Sequence, residues 1–218
     1  MIVNRYLSLV LSAAIVAAAS LAVVASGGPA WCRDAPIPEA SRSQQLRVLE
    51  SQMAVKPSDT NLLLQHAEIL GLLLRFDEAI GDCDRVLRLD SKSRDAYLIK
   101  AQSLAGKKQY SGAVCSLDNA FKLGAPSAKQ LLAKGSYLKR DGRYTEAVEI
   151  FNQVVKADPE EASAYMHRSY CYRQIYGPTE RSLKDLEMVA KLKPDDADVK
   201  ALIKDLRKSL DMAEEKVH

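Results

Sequence analysis

Aromatic side chains are scarce in this sequence, 6 % of 218 residues, with one Trp, three Phe and nine Tyr. A base-stacking nucleic-acid surface needs aromatics interleaved with basic residues along one stretch. No such stretch exists, because 31 Lys and Arg are mixed with 28 Asp and Glu along the whole chain, for a net charge of +3. Three His and four scattered Cys give little from which to build a metal site. No glycine-rich loop is present to cradle a phosphate. Ser and Asp are plentiful, yet none is set by spacing beside a base and an orienting group, so no nucleophilic constellation emerges. These absences point away from nucleic acid, cofactors, metals and catalysis, and towards a protein that works by contact.

Long apolar runs are also missing, with one exception. Leu7–Ser26 carries no charge over twenty residues, a helical length of roughly 30 Å, about that of a bilayer's hydrocarbon core. Arg5 precedes it and small residues follow, with Val24, Ala25 and Ser26 or Gly28, Pro29 and Ala30 as cleavage candidates. The pattern predicts an export signal, or an uncleaved anchor because the run exceeds an ordinary signal core. In both cases Arg5 is expected on the cytoplasmic side and the chain beyond residue 30 outside. Residues 31–38, with Pro36 and Pro38, form a linker.

The remainder is repetitive. Segments starting at Thr60, Arg94, Ala128 and Ala162 align at a spacing of 34 residues. In each, the fourth residue is large (Leu63, Tyr97, Leu131, Tyr165), the eighth small (Ala67, Ala101, Gly135, Ser169) and the eleventh large (Leu70, Leu104, Leu138, Tyr172). Phe76, Tyr110 and Tyr144 open the second half, followed three residues later by Ala79, Ala113 and Ala147. Such spacings are helical, so each unit reads as two amphipathic helices joined by a tight turn. The small residues let the paired helices approach closely.

This pattern resembles the tetratricopeptide repeat, most closely in the third unit, where Leu131, Gly135, Leu138, Gly142, Tyr144, Ala147, Phe151 and Pro159 stand at the family's positions. The resemblance implies an all-α, right-handed solenoid of tandem helical hairpins. Its units are 60–93, 94–127, 128–161 and 162–195, the last with a one-residue insertion near Gly177. A degenerate half-repeat at 39–59 precedes them, and a capping helix and tail at 196–218 follow. Thr179 replaces the usual aromatic, which predicts a looser turn in the fourth unit.

In proteins of this kind the first helix of each unit lines a concave surface. The resemblance therefore implies a partner-binding face built from Leu64, Glu68, Leu98, Ile99, Gln102, Leu132, Ser136, Lys139, Met166, His167, Tyr170 and Arg173. Its fifth-position column, Leu64, Leu98, Leu132 and Met166, is apolar, and Lys139 and Arg173 make it more basic towards the C-terminus. An apolar floor with polar flanks suits an extended peptide or an amphipathic helix of another protein. The same column also suits packing against neighbouring helices. Some family members capture a chaperone's C-terminal carboxylate with Lys and Asn at the fifth and ninth positions. Leu64 and Glu68, Leu98 and Gln102, and Leu132 and Ser136 stand there instead, which excludes that role.

Four basic-type residues occupy the seventh positions: His66, Lys100, Lys134 and Arg168. They form either ion pairs, His66 with Asp82 and Arg168 with Asp185, or a basic ladder for an acidic ligand. Cys83 and Cys171 are expected as small core fillers and Cys115 as incidental, because helix axes about 8–10 Å apart do not suit disulfides. His167 and Cys171 share a helical face but lack a third ligand. The expected function is a non-catalytic scaffold or adaptor outside the cytoplasm, without cofactor, metal or nucleic acid. The alternatives are a self-associating, membrane-anchored structural component, touching the membrane only through residues 7–26, and an enzyme with an unrecognised groove site.

Overall fold

The structure is a computed structural model that describes residues 39–214. The charge-free segment 7–26, the linker 31–38 and the last four residues lie outside the described residues. The chain forms two compact units, Met1–Gln44 and Gln45–His218. Of the first, only the opening turns of one helix are described. Among the described residues no helix is long and apolar enough to cross a membrane.

The described chain is entirely helical, with no strand. A lone helix α1 (Glu39–Val55) is followed by four hairpins: α2 (Thr60–Leu72) with α3 (Phe76–Leu89), α4 (Arg94–Gly106) with α5 (Tyr110–Leu123), α6 (Ala128–Arg140) with α7 (Tyr144–Ala157), and α8 (Ala162–Tyr176) with α9 (Glu180–Leu192). The closing helix is α10 (Ala197–Glu214).

Side-chain caps start the first helices. Asp59 accepts from the Asn61 and Leu62 amides, Ser93 from Ala96, and Glu161 from Ser163. Ser127 and Gln130 form a reciprocal capping box. The second helices α3, α5 and α7 start without one, because a three-residue turn delivers the chain directly into them. That turn places Leu74, Lys108 and Gly142 at φ of 60°, 61° and 80°. The fourth turn departs from the expectation of looseness. Here α8 runs on to Tyr176, Gly177 turns the chain at φ 75°, and Thr179 is not a substitute aromatic but the N-cap of α9. It accepts from the Ser182 amide at 3.2 Å while the Ser182 hydroxyl donates to the Thr179 carbonyl at 2.7 Å. The extra residue is used to make a cap, so the turn is tied down rather than slack.

Within each hairpin the small residues face each other. Ala67 and Ala79, Ala101 and Ala113, and Ala147 are fully shielded from solvent, and in the fourth hairpin the Ser169 hydroxyl donates to the Ser182 carbonyl at 2.8 Å. A Cβ on Gly135 would lie 2.6 Å from Phe151, which is itself fully buried. Burying a ring of that size contributes up to about 3 kcal/mol.

Four buried clusters run along the array. The first joins Leu46 of α1 to Leu63, Leu70, Val86 and Ile99, and the second joins Val114 to Leu131, Leu138, Phe151, Val154 and Cys171. The third and fourth seat Val199 and Leu206 of α10 on Tyr165, Val189, Leu183 and Leu186. Thus α10 covers the apolar side that the last hairpin would otherwise expose. Cys83 and Cys171 are fully buried free thiols and Cys115 is an exposed one.

Candidate protein-binding surface

The first helices of the opening two hairpins, α2 and α4, lie against one another, as do α6 and α8. Second helices do not approach each other as closely. Within Gln45–His218 the first helices of each of these two pairs therefore form the tighter, inner layer, while α4 and α6 do not approach each other as closely.

The apolar column on this layer is half-buried at Leu64, Leu98, Leu132 and Met166. Leu64 leans on the first cluster, Leu132 on the second and Met166 on the third and fourth, so packing takes part of each side chain and leaves part open. Glu68, Gln102 and Arg173 are exposed, Ser136, Lys139 and His167 half-buried, and Tyr170 is 44 % exposed. Ile99 is corrected: it is 7 % exposed and belongs to the first core cluster, not to the surface. One residue beyond the column turns about 100° around the helix. At that angle an apolar side chain gains about 2 kcal/mol by tucking under the preceding hairpin, whereas Gln65 at the same position stays exposed.

Each seventh-position residue meets an acid. His66 Nδ1 meets Asp82 Oδ2 at 2.5 Å, and Arg168 donates to both Asp185 oxygens at 2.6 and 2.9 Å. The other two reach back to the preceding hairpin, Lys100 to Asp84 and Lys134 to Asp118, each at 2.5 Å. Arg168 also donates to Asn152 at 2.7 Å, so it ties α8 to both α9 and α7. The three full cations, Lys100, Lys134 and Arg168, are thus matched by acids and serve the array itself.

A second group of cations is held differently. Lys139 donates to His167 Nδ1 at 3.2 Å and lies 5.2 Å from the centre of the Tyr170 ring. Tyr170 meets Tyr144 edge-on at 6.2 Å. Beside it, Arg140 lies 5.8 Å from the Tyr110 ring and donates to its hydroxyl at 3.2 Å, and Tyr110 stacks on Tyr137 at 6.4 Å. Burial first, then the charges of Lys139 and Arg140, push His167 down to about 4 against the opposing pull of Glu161. It is neutral at pH 7 and free to accept from the ammonium, its ring resting on Phe151 at 5.5 Å. Burial also holds Lys139 below its ordinary range. Cys171, one turn from His167, is pushed up to about 11 by burial, which keeps it an un-ionised thiol at neutral pH. Among the described residues the pair gains no third potential metal ligand.

Sequence reasoning found Lys139, His167 and Tyr170 but not Arg140, Tyr137, Tyr110 and Tyr144 as their companions. The aromatics were visible as hairpin openers. Their second role depends on the next hairpin's position, which no local spacing reports.

Stacked helical hairpins with a lone helix before and a covering helix after define an α-helical repeat protein. Residues 132–197 match the family model of the tetratricopeptide repeat, so this part of the chain carries that repeat. It is similar to the Hsp70-Hsp90 organizing protein of Triticum aestivum, 24 % identical over 62 % of this chain and 30 % of the relative, and to Hsp70-Hsp90 organizing protein 1 of Glycine max at the same identity and coverage. The chain thus spans about a third of the length of the curated relatives it matches. Among solved structures, the crystal structure of MamA superposes with a TM-score of 0.66 at 17 % identity, covering 73 % of this chain and 92 % of that one. MamA 41-end from Desulfovibrio magneticus RS-1 gives 0.66 at 22 % identity, covering 72 % and 88 %. These likenesses establish a shared fold.

Proposed function

We propose that the chain is a non-catalytic scaffold that lays a peptide or amphipathic helix of another protein on the face of its first helices, and that it works outside the cytoplasm. The carrying observation is the half-open column Leu64, Leu98, Leu132 and Met166, flanked by exposed Glu68, Gln102, Tyr170 and Arg173 on one layer. Apolar anchors spaced along a groove with polar rims match how helices and extended segments are bound. The charge-free run 7–26 after Arg5 supports the location, by export or by anchoring. Similarity to the Hsp70-Hsp90 organizing proteins, whose name denotes work on other proteins, supports the scaffold reading.

The test is crosslinking in the native cell with identification of what is attached, repeated with Leu98→Glu and Leu132→Glu. Loss of the attached protein at unchanged helicity is expected; capture that survives both substitutions overturns the binding face. Digestion of the repeats by a protease given access to the outer side of the cytoplasmic membrane is the expected sign of a non-cytoplasmic location, and digestion only after that membrane is lysed overturns it.

A further inference from the structure

The cations of the inner layer divide into two sets. At the seventh positions Lys100, Lys134 and Arg168 each have an acid in contact. Lys139 and Arg140, which close α6, and Arg173, in the last turn of α8, have no carboxylate partner among the described residues. Lys139 is instead shared between the Tyr170 ring and neutral His167, and Arg140 rests on Tyr110. Their position at a helix end explains part of this, because a helix C-terminus carries roughly half a negative charge. Two full positive charges on α6 leave a clear surplus. Aromatic faces and a neutral imidazole hold the ammonium in place without neutralising it, and partial burial makes an added counter-charge worth more than it is in water. The N-terminal part of the same face has no such surplus and exposes Glu68 and the neutral Gln102.

We infer that the segment bound on this face is an acidic peptide, with Asp or Glu carboxylates paired to Lys139, Arg140 and Arg173 at the third and fourth hairpins and apolar side chains on Leu98 and Leu132. This rests on the proposal that the first-helix face binds a partner segment. The exposed Tyr170 adds a neutral hydroxyl donor beside the cations. Charge complementarity of this kind fixes the direction in which the segment lies, since its acidic end must meet hairpins three and four.

The experiment titrates the full chain with an amphipathic peptide of about twenty residues carrying Leu at helical spacing and Glu on its flanks, alongside versions with every Glu replaced by Gln or by Lys. The Glu peptide is expected to bind about tenfold or more tighter than the Gln peptide, the Lys peptide weakest, with the preference shrinking as salt rises. Combined Lys139→Met, Arg140→Met and Arg173→Met, which keep the apolar stems, are expected to erase the preference of the Glu peptide over the Gln peptide. Leu98→Gln should weaken all three peptides together. A Gln peptide that binds as tightly as the Glu peptide, or a preference that survives the triple Met variant, overturns the acidic partner and leaves the binding face standing. Failure of all three peptides to bind overturns both.

Discussion

His167 shows how much one side chain's surroundings determine. Buried against Phe151 and beside two cations, it is held at about 4 instead of 6.5. At pH 7 it is neutral in the folded chain and mostly so in the unfolded one, and its contribution to pH dependence is small. As pH falls through 6.5 the unfolded chain takes a proton that the folded chain refuses, so stability is lost from there down to about pH 4 and then levels off. Because the side chain is only half-buried, solvent screening keeps that loss below about 3 kcal/mol. Urea unfolding at pH 7 and at pH 4.5 should therefore show a smaller acid-induced loss in His167→Gln than in the parent. An identical pH response in the two would mean the imidazole is not shielded as described.

Hairpin turns are the element at which sequence and geometry disagree. Positions 74, 108 and 142 all adopt the left-handed region, yet only the last is Gly. A side chain there costs roughly 1–2 kcal/mol, against about 0.5–1 kcal/mol of extra unfolded-state freedom for Gly. Lys108, exposed at its turn, is thus expected to gain about 0.5–1 kcal/mol on substitution by Gly. Gly142→Ala has open space around its new Cβ and should lose about 1 kcal/mol from backbone strain alone. Thermal midpoints moving in opposite directions for the two variants test this; a shared direction would refute it. The fourth turn is relieved differently, with Gly177 and the Thr179 cap.

Across the whole array, each hairpin buries its apolar side only against its neighbours. The last depends on α10, through Val199 and Leu206. Ending the chain after Asp196 uncovers Leu186 and Val189, both 2 % exposed. Amides of α9 should then exchange hydrogen much faster while those of α2 and α3 keep their protection, because nearest-neighbour coupling fades along the stack. Uniform loss of protection from end to end would instead show a single cooperative core.

Helical spacing is local, so the sequence alone determined the hairpins, the small residues at their crossings, the covering helix from Val199 to Leu206 and the acids opposite His66 and Arg168. Those depend on contacts within one unit or on the 3.6-residue period. What one hairpin does to the next was decided only in three dimensions: Ile99 turned inward, Lys100 and Lys134 reached back to Asp84 and Asp118, and Lys139 and Arg140 settled on aromatics of neighbouring units. The angle at which hairpins stack brings together residues about thirty apart, and that angle comes from packing summed over the whole interface, which no single spacing in the chain records.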